Sequence, residues 1–237
     1  MYSLLCYSIR MDQPVKQRRV YDSPRRREQA RATRKAILDA AAALFVGRGY
    51  VATTIDSIAS LATVSPESVF AIFGSKRSIL SELVDVSISG GESAPPILEQ
   101  AWVQEMREEP DPRRRLQILA GNGRSILERR AATDEVVRGA AIADPEMATL
   151  WERGKAQRFE GQRMLLQMAL GGADLRAGMD LETAAEILFA IGSPEVYRLL
   201  TVDRGWSGAS FEQWYAETLE RLFLGPPPAK RPQNGGG

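Results

Sequence analysis

The sequence contains no histidine and a single cysteine, Cys6, among its 237 residues. Without histidine, the chain has neither the imidazole base of Ser-His-Asp and Cys-His catalysis nor imidazole ligands for a metal. One cysteine permits no internal disulfide bond and no cysteine cluster for zinc. Glycine-rich phosphate loops and the Gly-x-Ser-x-Gly motif are also missing. We therefore predict that the protein is not an enzyme and uses no cofactor and no metal.

Long apolar runs are absent as well. No stretch approaches the roughly 18 apolar residues that a membrane-spanning helix requires. The mildly apolar start, MYSLLCYSI, is too short for a secretory signal and lacks its leading positive charges. We expect a cytoplasmic protein with no membrane partner. The composition of residues 225–237, GPPPAKRPQNGGG, predicts a disordered tail.

Charge is nearly balanced overall but unevenly distributed along the chain. The formal net charge is +1, yet residues 1–77 carry a net charge of +7 and residues 78–237 a net charge of −6. Residues 1–27 have little to bury and predict a disordered basic arm. This asymmetry indicates a polyanionic partner at the N-terminal end, although a solvated tail that only aids solubility is the alternative. We predict that Arg31, Arg34 and Lys35 contact DNA, either along the phosphates or in the minor groove.

Residues Thr53–Lys76 have the pattern of two short amphipathic helices joined by a tight turn. Thr54 and Ser65 stand at N-cap positions, and Pro66 suits the first turn of the second helix. Apolar residues recur at helical spacing in each segment, which predicts a helix-turn-helix reader of double-stranded DNA. From spacing alone, a helical hairpin inside an all-α core is the alternative. The predicted DNA contacts are Thr53, Thr54, Ser65, Pro66, Glu67, Ser68, Phe70, Ala71 and Lys76.

The remaining pattern is helical on both sides of the reader, so we predict an all-α protein. The predicted domains are a helix-turn-helix domain over residues 28–75, and a linker helix with a regulatory and dimerisation domain over residues 76–224. Finer predictions concern helix boundaries. The first helix starts at about Glu28 or Arg31, a later one ends at about Arg130 before a short segment Asp134–Ile142, Pro194 kinks or interrupts a helix, and Ser210 caps the last.

The run from Ile37 to Leu80, ILDAAAALFVGRGYVATTIDSIASLATVSPESVFAIFGSKRSIL, resembles the N-terminal DNA-binding domain of the TetR family of bacterial transcriptional regulators. The resemblance covers about a fifth of the chain. It implies a homodimeric, all-helical repressor that responds to an unknown small-molecule effector. The matching positions are Ile37, Leu38, Ala40, Ala41, Leu44, Phe45, Gly49, Tyr50, Thr53, Thr54, Ile55, Ile58, Ala59, Val64, Ser65, Phe70, Phe73, Ser75, Lys76 and Leu80.

Two residues depart from the family pattern. Thr63 stands where the family usually has glycine, so we predict a slightly strained turn. Phe70 stands where the family often has a tyrosine whose hydroxyl donates to a phosphate, and phenylalanine has no such donor. The predicted second helix also contains no arginine or asparagine for bidentate base contacts. We therefore expect the arm and DNA shape to contribute more to recognition than usual.

The resemblance also suggests where a ligand and a second subunit would bind. We expect a largely apolar ligand between the middle helices, and a dimer interface on the last two long helices. An all-α protein-interaction module without sequence-specific DNA binding is the alternative function. The candidate pocket residues are Trp102, Met106, Trp151, Phe159, Met164, Met168 and Phe189. The candidate interface residues are Ile187, Ile191, Trp214, Leu219, Leu222 and Phe223.

Overall fold

The computed structural model describes residues 24–91 and 93–224, and every regular element in this part of the chain is helical. The all-α prediction is therefore confirmed. Most of the predicted basic arm and the predicted tail lie outside the described residues. The α-helices are α1 (Pro24–Arg48), α2 (Ile55–Ala62), α3 (Pro66–Phe73), α4 (Lys76–Ser89), α5 (Ala101–Glu108), α6 (Pro112–Ala143), α7 (Pro145–Leu170), α8 (Leu181–Ile191), α9 (Pro194–Arg198) and α10 (Gly208–Phe223). A 3-10 turn, Ile97–Glu99, precedes α5, and a π-helical turn, Leu199–Asp203, follows α9.

Helices α1 to α4 surround one apolar core, and we call this unit the reader. Ile37, Ile58, Val69, Ile79 and Leu80 are all fully buried in it. Each comes from the apolar stripe of its own helix, as the spacing predicts. The remaining helices form the body, which packs around a second apolar core.

Helix α6 contributes to both cores. Its first half supplies Leu116 and Leu127 to the core of the body, and its last turns supply Val137 and Ala140 to the core of the reader. A single residue, Asp144, separates α6 from α7 and caps the start of α7 by accepting from the amide of Glu146 at 2.9 Å. None of the helices in the described part of the chain combines the length and the apolar character that crossing a membrane requires.

Several boundaries differ from the predictions. Helix α1 begins at Pro24, so its first turn includes residues that we had placed in the arm. The break predicted after Arg130 is wrong, because α6 runs unbroken to Ala143. Its internal glycines permit a close approach of α10, since a Cβ on Gly123 would lie 3.3 Å from the Tyr215 ring. Tertiary packing here overrides a locally weak helical pattern.

The predicted start of the last helix is also wrong, whereas the predicted break at Pro194 is confirmed. Ser207, rather than Ser210, caps α10, because its hydroxyl accepts from the amide of Ser210 at 3.0 Å. At the earlier break, α8 ends at Ile191 and α9 starts at Pro194. Pro194 has no amide hydrogen to continue α8, and it suits the first turn of a new helix.

Candidate nucleic-acid interface and internal cavity

The two short helices of the reader are held by side-chain caps. The hydroxyl of Thr54 accepts from the amide of Ser57, and the hydroxyl of Ser57 accepts from the amide of Thr54, both at 3.1 Å. Ser65 caps α3 by accepting from the amide of Ser68 at 3.3 Å. Such caps satisfy amides that have no partner within the helix. The predicted N-caps of α2 and α3 are confirmed.

The turn between α2 and α3 places Thr63 in the left-handed region, with φ 57° and ψ 43°. It is the sole non-glycine residue with positive φ among the described residues. A β-branched side chain is strained in this conformation. The expectation of a strained turn is therefore confirmed. The amide of Thr63 still closes the end of α2 by donating to the carbonyls of Ala59 and Ser60.

Helix α3 presents a small exposed face that suits a DNA groove. Glu67, Phe70 and Ala71 are exposed, and Ser68 is half-buried. Phe70 leaves 53% of its surface open to solvent. Thr54 and Ser65 are exposed beside this face, and Pro66 is half-buried. Their contacts with DNA stay predictions.

Lys76 occupies a different position from the one that its sequence context suggested. Its ammonium donates to the backbone carbonyls of Tyr50 and Thr53, both at 2.7 Å, and lies 4.2 Å from the centre of the Tyr50 ring. Burial lowers the pKa of Lys76. The side chain therefore ties the start of α4 to the loop between α1 and α2. One of its three N–H groups is left for a phosphate.

Thr53 is a correction to the predicted contacts. Its side chain is buried, with 1% of its surface exposed, and its hydroxyl donates to the carbonyl of Gly49 at 2.8 Å. A side chain in this position cannot reach DNA. Its role is to close the loop that follows α1.

The three residues of α1 that we predicted to contact DNA differ in exposure and in their ion-pair partners. Arg34 binds both carboxylate oxygens of Glu82 on α4 and lies 4.7 Å from the centre of the Phe73 ring. Arg34 therefore links three helices of the reader, and a phosphate would have to compete with Glu82. Arg31 and Lys35 are exposed, and Lys35 pairs with Asp39 one turn away at 2.6 Å. The DNA contacts of these two residues stay predictions.

The body contains a cavity of about 310 Å³. Residues of α4, α5, α6, α7, α8 and α10, together with the turn before α5, form its wall. A second cavity of about 290 Å³ shares Val84 and Asp85 of α4 and Arg130 and Arg158 with the first. A volume near 300 Å³ lies at the lower end of the range for small-molecule sites.

The predicted pocket residues separate into three groups. Trp102 and Met164 line the first cavity, and Trp151 lines the second. Met106 is fully buried in the core of the body and lines neither cavity, which corrects its assignment. The others are half-buried beside the core rather than in a cavity wall. Phe159 and Phe189 pack edge to face with 5.8 Å between ring centres, and Met168 packs against the apolar core.

The predicted interface residues also separate. Leu219 and Phe223 are fully buried within their own chain, so their side chains are not available to a second subunit. These two assignments are corrected. The other four are half-buried and lie at the edge of the core on α8 and α10. They are Ile187, Ile191, Trp214 and Leu222, and their place in a dimer interface stays a prediction.

The polar groups of the cavity were missed by sequence reasoning. Arg130 and Asp134 form a buried pair with two hydrogen bonds, of 2.6 and 2.8 Å, whose i,i+4 spacing on α6 is a local signal. Arg158 on α7 lines both cavities and donates to the carbonyl of Phe189 at 2.9 Å. The sequence did not mark Arg158, because its shortest hydrogen bond is to a backbone carbonyl at the distant end of α8.

Comparisons with known proteins agree with this geometry. Residues 37–83 match the family described as bacterial regulatory proteins, tetR family. The transcriptional regulator TtgR of Pseudomonas putida is 26% identical over 209 residues, which cover 85% of this chain and 97% of that protein. The fold is similar to NalD, the secondary repressor of the MexAB-OprM multidrug efflux pump in Pseudomonas aeruginosa, with a TM-score of 0.60, 20% identity, and 83% and 98% of the two chains covered. It is also similar to FadR of Bacillus subtilis in complex with stearoyl-CoA, with a TM-score of 0.61, 18% identity, and 81% and 99% covered. Residues 37–83 therefore form a DNA-binding domain of the TetR family of bacterial regulatory proteins, and the chain is a DNA-binding transcriptional regulator.

Proposed function

We propose that the protein is a repressor that binds a palindromic operator as a homodimer and is released by a small, largely apolar ligand in the body. The observation that carries this proposal is the double role of α4. At its start, Lys76 holds the loop of the reader through two backbone carbonyls. Further along, Val84, Asp85 and Ile88 belong to the wall of the cavity. One helix therefore joins the DNA-reading unit to a space of ligand size.

This connection supplies a mechanism. The two readers of a dimer must fit half-sites about one helical turn apart, or 34–36 Å. A shift of α4 on ligand binding would change the distance between the readers. The ligand acts only through its difference in affinity for the two arrangements, because a ligand that binds both equally shifts nothing.

Proteins of the same fold bind chemically unlike ligands. The FadR complex contains stearoyl-CoA, and a regulator from Saccharomonospora viridis, with a TM-score of 0.59 and 22% identity, contains choline. These cases support the idea of an effector in the body. They leave its chemistry to be argued from the residues of this chain.

The homodimer is supported by the half-buried apolar edge on α8 and α10. We expect sedimentation equilibrium to give twice the chain mass. Leu222→Glu should shift the equilibrium to monomers, because it places a charge in the proposed interface. Leu199→Glu, at an exposed position outside this edge, is the control. A wild type that remains monomeric at concentrations where it binds DNA would contradict the dimer.

The operator can be tested by selecting bound duplexes from a random pool. We expect two inverted half-sites, and affinity should also depend on base pairs outside the α3 footprint if shape contributes. A single site without symmetry would contradict the palindrome. Binding that does not weaken with salt, or no binding at all, would instead favour a protein-interaction module.

Phe70 offers a specific test of the reading face. Phe70→Ala should weaken operator binding about tenfold, a size typical of one lost base contact, while non-specific binding changes little. Val202→Ala is a matched control, because Val202 is an exposed apolar residue of the body at 65% exposure. Fluorescence anisotropy with operator and random duplexes measures both effects. If the two variants lost operator affinity to the same extent, Phe70 would not be a DNA contact.

A further inference from the structure

The wall of the first cavity is apolar over most of its area. Side chains of α5, α6, α7 and α8 provide this surface, among them Trp102, Leu119, Ile126, Met164 and Leu188. Such a lining favours a ligand with a substantial hydrocarbon or aromatic part. The polar residues of the wall are few, and several of them meet near one point.

That point is Gly192, at the end of α8. Arg158 and Gln162 lie one turn apart on α7, and the amide of Gln162 donates to the carbonyl of Gly192 at 3.0 Å. A Cβ on Gly192 would lie 2.2 Å from the hydroxyl oxygen of Tyr215 and 3.2 Å from the amide nitrogen of Gln162. A guanidinium, an amide and a phenol, which are all hydrogen-bond donors, are thus gathered at one end of an apolar cavity.

Arg158 has the largest number of N–H groups left without a partner among these donors. A guanidinium has five N–H groups. Only its Nη1 group bonds within the described residues, to the carbonyl of Phe189 at 2.9 Å and, at 3.5 Å, to the side chain of Gln162 and the carbonyl of Gly192. Its carbon lies 3.7 Å from the centre of the Phe189 ring. The Nε and Nη2 groups remain for an occupant of the cavity.

No carboxylate of the described residues forms a salt bridge with Arg158. The carboxylate of Asp134 is bound by Arg130, and Glu195 is exposed. Burial, with a smaller effect of Arg130, lowers the pKa of Arg158 to about 10. The group is nevertheless charged at neutral pH. It is a desolvated cation without a bound anion among the described residues, which is costly unless a partner is added.

One carboxylate does face the same space. Asp85 on α4 lines both cavities, and burial and the nearby Glu82 raise its pKa. The main cause is burial, which disfavours the charged form of the Asp85 carboxylate, and the negative charge of Glu82 adds to it. Arg153, Lys155 and Glu195 line only the second cavity. The charge that is available in the first cavity is therefore that of Arg158, opposed by Asp85 on another helix.

We propose that the cavity binds an amphipathic carboxylate, with its apolar body in the lined space and its head group on Arg158. This inference rests on the proposed function, because it names the chemical class of the effector for the same site. The planar guanidinium matches a carboxylate through two parallel hydrogen bonds. Gln162 and Tyr215 stand beside the head group and supply further donors.

Three ligands with the same hydrocarbon chain test the proposal: dodecanoate, dodecanol and dodecylamine. Binding to the full-length protein is measured by isothermal titration calorimetry and by the tryptophan fluorescence of the cavity. We expect dodecanoate to bind at least about tenfold more tightly than dodecanol, in line with a charge-assisted hydrogen bond. Equal affinity for the acid and the alcohol, or preference for the amine, would overturn the proposal. The second result would assign the head group to Asp85 instead.

Variants locate the head group. Arg158→Met should abolish the preference for dodecanoate while leaving the affinity for dodecanol nearly unchanged. Arg163→Met, on the same helix but paired at the surface with Glu160 and outside the cavity wall, should keep the preference. If Arg158→Met does not fold, Arg158→Gln and the three-ligand comparison on the wild type still decide the matter. A preference that survives the loss of Arg158 would contradict the assignment.

The same titrations separate this inference from the proposed function. If dodecanoate binds through Arg158 but does not release operator DNA, the site stands and the effector role fails. If a neutral apolar compound releases DNA while carboxylates show no preference, the effector role stands and the carboxylate assignment fails. Binding and release are therefore measured on the same protein sample.

Discussion

The reader and the body each hold a half-buried cation beside an aromatic ring, but they satisfy it differently. In the reader, Lys76 uses two of three N–H groups on backbone carbonyls at 2.7 Å. In the body, Arg158 has one short bond, to Phe189, and leaves two of its nitrogens without a partner among the described residues. The Lys76 ammonium in the reader is thus largely used by bonds within the protein, whereas Arg158 in the body has N–H groups left for another molecule. A basic side chain is thus a ligand-binding candidate only after its internal partners have been counted.

The largest expected effect comes from the pair Arg130–Asp134, which lies beside Arg158 and shows a cation that is paired with a carboxylate through two hydrogen bonds. Asp134→Ala should lower the free energy of unfolding by about 3–5 kcal/mol, because it leaves Arg130 buried without its carboxylate. Urea denaturation measures the loss. The control is Glu135→Ala, which breaks the exposed pair with Arg138 on the same helix and should cost less than about 1 kcal/mol. If both variants lost the same small free energy of unfolding, burial of Arg130 would not require the Asp134 carboxylate.

Lys76→Met tests whether the hydrogen bonds of Lys76 stabilise the reader. It removes the donor from two backbone carbonyls while retaining an apolar stem of similar length. We expect a loss of about 2–3 kcal/mol in the free energy of unfolding, since bonds to a charged donor are stronger than neutral ones. Lys35→Met, at an exposed position, should change stability by less than about 0.5 kcal/mol. If Lys76→Met keeps full stability but loses DNA affinity, Lys76 is a phosphate contact rather than a structural clamp.

Thr63→Gly separates backbone strain from side-chain bonding in the reader. Glycine adopts positive φ without the steric cost that threonine carries at φ 57°. After the larger conformational entropy of glycine in the unfolded chain is subtracted, the variant should gain about 1 kcal/mol of stability. Thermal unfolding measures the gain. Ser60→Gly, in the right-handed α2, should instead lose stability, and a loss in both variants would mean that the turn is unstrained.

Arg158→Met should have the smallest effect on stability, within about 1 kcal/mol of the wild type, because the cation has a desolvation cost and few bonds. The pH dependence has a definite sign. Burial lowers the pKa of Arg158 to about 10, so the buried charge destabilises the folded protein at neutral pH. As the pH rises above that value, Arg158 loses its proton in the folded state and this cost disappears. Relative to Arg158→Met, the wild type should therefore gain stability in alkaline solution. A loss comparable to that of Lys76→Met would remove the contrast between the two cations.

Local signals predicted the reader well. The caps Thr54 and Ser65, the position of the turn and the strain at Thr63 depend on residues close in sequence, and the structure has each of them. The fold class followed from apolar spacing for the same reason. What the sequence did not reveal is which polar groups face inward. Thr53 and Lys76 read as surface residues, yet their partners are backbone carbonyls of the loop after α1.

The body was harder to predict because its boundaries depend on distant contacts. The continuity of α6 depends on α10, which approaches its glycines, and the burial of Leu219 and Phe223 depends on packing within the core. The cavity itself is a space between helices, so no single stretch encodes it. Trp102 and Met164 were assigned from residue type, whereas Arg158 needed the position of the end of α8.

Helix α6 has a consequence for how the protein folds. Because its last turns complete the apolar core of α1 to α4, the reader lacks part of its interior when α6 is absent. The two halves should then unfold together rather than as separate cooperative units. Amides of α2 and α6 are expected to exchange their hydrogens with the same free energy of opening. A fragment that stops after α4 would expose the surface that Val136, Val137 and Ala140 cover, so we expect the DNA-reading unit to be much less stable alone than in the full chain.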